Sequence, residues 1–298
     1  SRGRVFRRLG NIQVVHLPKG ASVEKFIERY QESGLVEYAE PDHLGMIDQS
    51  WVPNDPMFND GTLWGLNNTS DQTKDIDALQ GWQAVRDASN VVVAVIDQGV
   101  RYTHEDLADN VWVNEDEIPG NGIDDDGNGY VDDIHGINAR FQGDQPWDPE
   151  YMDRYSDPNP QDWAPHGTHV AGTVGGRGDN GKGVIGVAPF VKIMALRWIP
   201  VQDFLYGWYP AAISDAIECI EYAIENGAHI MNNSWRDVDG YSQALYDAIA
   251  MARDPNGDGN TDDGIIFVAS AGNQSANTDH APQYPASFDL VSRGSHED

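Results

Sequence analysis

The sequence predicts a doubly wound α/β domain with a mostly parallel sheet, preceded by a small α+β unit. Three observations carry this expectation. Val91 to Ile96 is an unbroken apolar run rich in β-branched residues, as a strand buried on both faces requires. From His166 onward, strand-length apolar runs alternate with helix-length segments. Asp97, Asn232 and Asn273 fall at or just after expected strand ends, where such sheets gather their sites.

The elements follow in order. Residues 1–48 form the small unit. Ile12 to Leu17 alternates like a strand. Ser22-Val23-Glu24-Lys25 opens a helix much as a capping box does, and Phe26, Ile27 and Tyr30 give it an apolar face. Gly34 ends it, and Val36 to Ala39 reads as a second short strand. Residues 49–75 are rich in Pro, Asn and Asp and read as a linker lying on the surface and the mature N-terminal segment. The large domain takes residues 76–298. It opens with a helix over Asp77 to Val85 and the strand Val91 to Ile96. Asn114 to Pro165 is a long polar stretch, of the kind that is functional or ordered by ions. A helix starts near His166, and Val191 to Leu196 is a strand. Ala211 to Glu225 is a helix stopped by Asn226-Gly227. His229 to Asn232 is a strand, Ser242 to Ala252 a helix and Ile265 to Ala269 a strand.

Composition narrows the function. The 298 residues hold 48 acids and 19 bases, a formal net charge of −29. Phosphate repels such a surface, which excludes nucleic acid as a partner. The charge suits a soluble chain in salty or calcium-containing water, or simply a solvated acidic surface. The one cysteine, Cys219, lies within an expected helix and cannot form an internal disulfide. A secreted protein without disulfides needs other staples, and metal ions serve. No run of eighteen apolar residues is present, so no membrane span is expected. Ser1 does not look like a native start, and a leader removed ahead of this numbering is the expectation.

Two segments carry chemistry. Val93-Ala94-Val95-Ile96-Asp97-Gln98-Gly99 delivers an acid at a strand end, and His166-Gly167-Thr168-His169-Val170-Ala171-Gly172 opens a helix with a histidine. A neutral His with an acid on its second ring nitrogen is a general base for a hydroxyl nucleophile. A third segment carries metal chemistry. Asp124, Asp126, Asn128 and Asp132 follow the one-three-five-nine spacing of a calcium loop, with Gly129 at the turn and the Tyr130 carbonyl at position seven. His135 stands at position twelve, so the loop is not a full EF-hand. Asp254, Asn256, Asp258, Gly259, Asn260 and Asp262 repeat the pattern less fully.

Several ordered blocks resemble the subtilisin-like serine proteases, the subtilases. They are the Asp97 and His166 segments, Gly183-Val184-Ile185-Gly186-Val187-Ala188-Pro189, Ile230 to Ser234, Ala269-Ser270-Ala271-Gly272-Asn273 and Tyr284-Pro285-Ala286. The resemblance implies a subtilisin-like fold with Asp97 as the orienting acid, His166 as the base and Asn273 as a donor to the oxyanion. It implies that Ser234, Trp235 and Arg236, with Ala271 and Gly272, bind substrate. It further implies a calcium held by Asp106, Asn180 and the carbonyls of Gly178, Lys182 and Val184. Residues 1–48 resemble the family's ferredoxin-like propeptide, an intramolecular inhibitor, with a cut expected between Gly45 and Gln49.

The sequence departs from the family in three places. Gln98 stands where the family has Ser or Thr, Arg236 stands where it has Gly, and the Gly-Thr-Ser-Met-Ala block with the nucleophile is absent. The large domain is therefore expected to be an incomplete catalytic domain. The expected protein is a secreted, calcium-dependent serine endopeptidase zymogen acting on polypeptides, with this chain alone inactive. The alternative is a non-catalytic relative that binds a peptide or partner in the same cleft.

Overall fold

The computed structural model describes residues 2–6, 12–41, 51–139, 166–199, 211–236, 240–257, 261 and 263–289. The chain divides into two compact units, Ser1–Ser50 and Trp51–Asp298. In the first, β1 (Arg2–Phe6) pairs antiparallel with β2 (Ile12–Val15). Helix α1 (Val23–Glu32) follows, and its cap Ser22 accepts from the Lys25 amide at 3.3 Å. Val36 to Ala39 is not a strand. β2 takes Arg2–Phe6 as its partner instead, and a segment that finds no ladder stays irregular.

The second unit begins with α2 (Pro56–Asn59), with proline at its first turn, and α3 (Ala78–Ala84). Its sheet contains β3 (Val92–Asp97), β4 (Gly136–Asn138), β5 (Lys192–Arg197), β6 (Ile230–Asn233) and β7 (Ile266–Ala269). The strand order is β4-β5-β3-β6-β7, and every pairing is parallel. Three helices cover it: α4 (His166–Gly175), α5 (Ile213–Glu225) and α6 (Gln243–Arg253).

Period two along β3 and β5 sorts residues to two cores. Ala94, Ile96, Met194 and Leu196 pack with Ala216, Cys219 and Ile220 of α5 and with Leu245 and Ile249 of α6. Val93, Val95, Ile193 and Ala195 pack with Ala171 of α4. Both faces are thus dry, which is why these strands read as unbroken apolar runs. Cys219 is fully buried in the first core, and burial pushes its thiol pKa well up, so it behaves as a small apolar residue.

Residues 51–75 do not lie free as a linker would. Phe58 packs with Trp82, Ala78 and Ile185, and Trp51 meets Trp82 edge-on with centroids 5.5 Å apart. On the other side, Tyr222 of α5 donates to Asp133 Oδ2 at 2.5 Å, tying the acidic loop 114–135 to the core. Asp133 is fully buried. Tyr222→Phe removes a donor from a buried carboxylate and is expected to cost about 2 kcal/mol. Urea unfolding of the full chain measures this, and a midpoint equal to wild type contradicts the tie.

Candidate active site

Asp97 is the last residue of β3, and His166 is the first of α4. His166 Nδ1 lies 2.8 Å from Asp97 Oδ1 and 3.0 Å from Oδ2. The Gln98 amide donates to Oδ1 at 2.7 Å. A carboxylate has no proton to give, so Nδ1 carries the hydrogen and Nε2 is left as the base. Asp97 is wholly buried while the His166 side chain is 53% exposed, so the pair presents its basic nitrogen outward. Burial pushes the Asp97 pKa up, and the bonds from His166 and the Gln98 amide oppose that.

Close approach of α4 to the end of β3 makes this geometry. A Cβ at position 167 would sit 2.1 Å from the Gly99 carbonyl oxygen and 3.1 Å from Asp97 Oδ1, so only glycine fits. The Arg101 amide donates to Thr168 Oγ1 at 2.9 Å, which fastens the helix start to the loop after β3. On the other side the Asp97 carbonyl accepts from the Trp198 and Ile199 amides at 3.1 and 3.3 Å. The Gln98 side chain takes no part in holding Asp97; its backbone amide does, and any residue supplies that.

The other expected site residues leave the carboxyl ends of β6 and β7. Ser234 Oγ accepts from Asn232 Nδ2 at 3.0 Å. Trp235 is buried and packs edge-on against Trp198, centroids 4.6 Å apart, so it forms a wall. Arg236 is half-buried, Gly272 likewise, and Ala271 and Asn273 are exposed. The Gly272 amide donates to Ser270 Oγ at 3.1 Å.

Two acidic clusters are candidate metal sites. In the first, Asp106 is buried, with Asn180 Nδ2 donating to its Oδ1 at 2.8 Å and the Val184 amide to its Oδ2 at 2.7 Å. Asp55, which the linker reading passed over, belongs here. It is fully buried, and its Oδ2 accepts from the Asp179 amide at 2.9 Å. Its Oδ1 is buried with no hydrogen-bond partner. Burial, with the Asp106 charge adding, pushes its pKa up. An orphaned carboxylate oxygen beside a second carboxylate fits a hard cation with oxygen ligands.

In the second cluster, ligand oxygens of Glu117, Asp124 and Asp126 lie within 4.8 Å of one another. Asp132 points elsewhere and accepts from the Asn121 and Gly122 amides at 3.2 and 3.0 Å. Asn128 binds Asp126 and Asp133 through Nδ2, and the Tyr130 amide donates to Asn128 Oδ1. Of the residues at calcium-loop spacing, Asp124 and Asp126 lie in this cluster, and Glu117, upstream of the loop, joins them. The weaker repeat at 254–262 and the expected cut between residues 45 and 49 lie largely outside the described residues.

Comparison with known proteins assigns the family. The subtilase family model matches residues 88–291, and the fervidolysin N-terminal prodomain model matches residues 7–42. Subtilisin-like protease 1 of Plasmodium berghei is 33% identical over 231 residues, covering 76% of this chain and 32% of that protein. The thermophilic serine proteinase of Bacillus sp. AK1 is 29% identical over 273 residues, 92% of this chain and 52% of that one. The crystal structure of fervidolysin from Fervidobacterium pennivorans superposes with a TM-score of 0.53 at 25% identity, over 84% of this chain and 29% of that one. The chain spans about a third to a half of these relatives. With the family model matched over more than half of its length, the chain belongs to the subtilase family.

Proposed function

We propose that the chain carries the acid, the base and the oxyanion donor of a secreted serine endopeptidase zymogen. The observation that carries this is the 2.8 Å contact between His166 Nδ1 and the buried Asp97. Neutral His166 takes the proton of a serine hydroxyl supplied from outside residues 1–298, and that oxygen attacks the peptide carbonyl. Asp97 holds the ring tautomer and stabilises the imidazolium that forms. The Asn273 side-chain amide donates to the oxyanion. His166 then passes its proton to the leaving amine, and water reverses the sequence to release the acyl group. Polypeptides are the substrates, and residues 7–42, matched by a prodomain model, serve as the intramolecular inhibitor.

Calcium completes the reading. Asp106, Asp55, Asn180 and the carbonyls of Gly178, Lys182 and Val184 hold one ion. Glu117, Asp124 and Asp126, with Asn128 and the Tyr130 carbonyl, hold another. A bound divalent cation neutralises carboxylates that otherwise repel one another, and so staples loops of a chain whose net charge is −29.

In the full-length protein, Asp97→Asn is expected to lower kcat by about 10⁴-fold and Asn273→Ala by about 10²- to 10³-fold. Steady-state hydrolysis of a fluorogenic peptide measures both, and a wild-type rate in Asp97→Asn rules out the proposed roles. Chelating calcium is expected to lower Tm by roughly 5–10 °C. Asp55→Asn removes most of the gain that added calcium gives, as calorimetry with and without the ion would reveal; an unchanged gain removes Asp55 from the site.

A further inference from the structure

β6 and β7 run parallel and in register, with Asn233 opposite Ala269. The segments that leave their carboxyl ends therefore start side by side, and the Ser270 amide keeps them joined by donating to the Asn233 carbonyl at 3.0 Å. Arg236 on the first segment meets Gly272 on the second. A Cβ at Gly272 would lie 2.7 Å from Gln274 Oε1, 3.5 Å from Gln283 Oε1 and 3.6 Å from Arg236 Cδ, so the alkyl stem of the arginine reaches the same slot as two amide oxygens. Gly272 has φ +86°, a conformation that favours glycine. Arg236 Cδ thus lies beside the residue that precedes Asn273.

Nothing among the described residues neutralises Arg236: it makes no ion pair and no hydrogen bond there. The chain holds 48 acids and 19 bases, and among the described residues none of those acids reaches this arginine. The same slot holds a second unmet group. Gln283 Oε1 is buried without a donor, and it lies 3.5 Å from the Gly272 Cβ position. A guanidinium with no acceptor among the described residues suits a residue with a carboxylate side chain.

We propose that Arg236 selects substrates with Asp or Glu at the residue whose carbonyl is attacked. This rests on the protease reading, because Asn273 as oxyanion donor sets that residue over Gly272. The preference is local. The field of a −29 chain disfavours acidic peptides at long range, but screening beyond about 8 Å leaves the contact at the slot to decide. A purely steric Arg236 would instead treat Glu and its isostere Gln alike.

Matched peptides differing only in Glu, Gln or Lys at that residue test this in the full-length protein. Two readouts are used: kcat/KM for wild type, and binding to the His166→Ala variant by fluorescence anisotropy. Glu is expected to be favoured over Gln by roughly 10- to 100-fold. Arg236→Gln abolishes the preference, Arg236→Lys keeps part of it, and Arg236→Glu turns it toward Lys. Equal handling of Glu and Gln, or no peptide binding, overturns the assignment. If wild type cleaves none of the peptides while Glu is still bound over Gln through Arg236, the protease reading falls and the assignment stands.

Discussion

A charge at the buried end of β3 is the constraint on which this site depends. Asp97 has no exposure, and an ionised carboxylate in that position is costly unless donors reach it. The chain supplies two, the Gln98 amide and His166 Nδ1. Bringing His166 there forces α4 against the turn after β3, which in turn demands glycine at 167 and rewards the Thr168 clasp on Arg101. One buried charge therefore dictates a residue type, a helix position and a ring tautomer. Asp97 sits in β3, flanked by β5 and β6 in a five-stranded sheet, so the strand beneath it has little freedom to move.

The same physics, applied to exposed and half-buried acids, explains the loops. Asp124 holds its own turn by accepting from the Gly127, Asn128 and Gly129 amides, and those bonds, Gly129 first, lower its pKa. Asp133 is the inner end of that loop and is satisfied by Tyr222, Asn128 and Asn114. The acidic loop is thus anchored to α5 at one end while its outer carboxylates remain gathered. Around Asp106 the arrangement is tighter, and the orphaned oxygen of Asp55 marks where protein donors run out. Net charge alone describes a solvated surface; these particular carboxylates are organised.

Much of this was legible in the sequence, for identifiable reasons. β3 was expected over Val91 to Ile96 and spans Val92–Asp97, because a strand dry on both faces leaves an unbroken apolar signal. The helices over Ile213–Glu225 and Gln243–Arg253 carry periodic apolar faces and clear end signals, Asn226-Gly227 for one and Ser242 for the other. What escaped was set by tertiary partners. Val36 to Ala39 has strand-like residues but no ladder to join. Asp55 sits in a stretch that reads as linker, and only its burial beside Asp106 reveals it. Glu117 lies outside the loop spacing that Asp124 and Asp126 follow. Gln98 looked like a departure at the acid, yet its contribution there comes from the backbone, which sequence identity does not alter.

Low-field proton NMR of the full chain tests the Asp97–His166 pairing most directly. A proton shared between His166 Nδ1 and a buried carboxylate is strongly deshielded and shielded from exchange with water. One far-downfield resonance is expected in wild type, retained in Gln98→Ser and lost in both Asp97→Ala and His166→Gln. A wild-type spectrum without that resonance, or one that survives Asp97→Ala, contradicts the pairing on which the site is built.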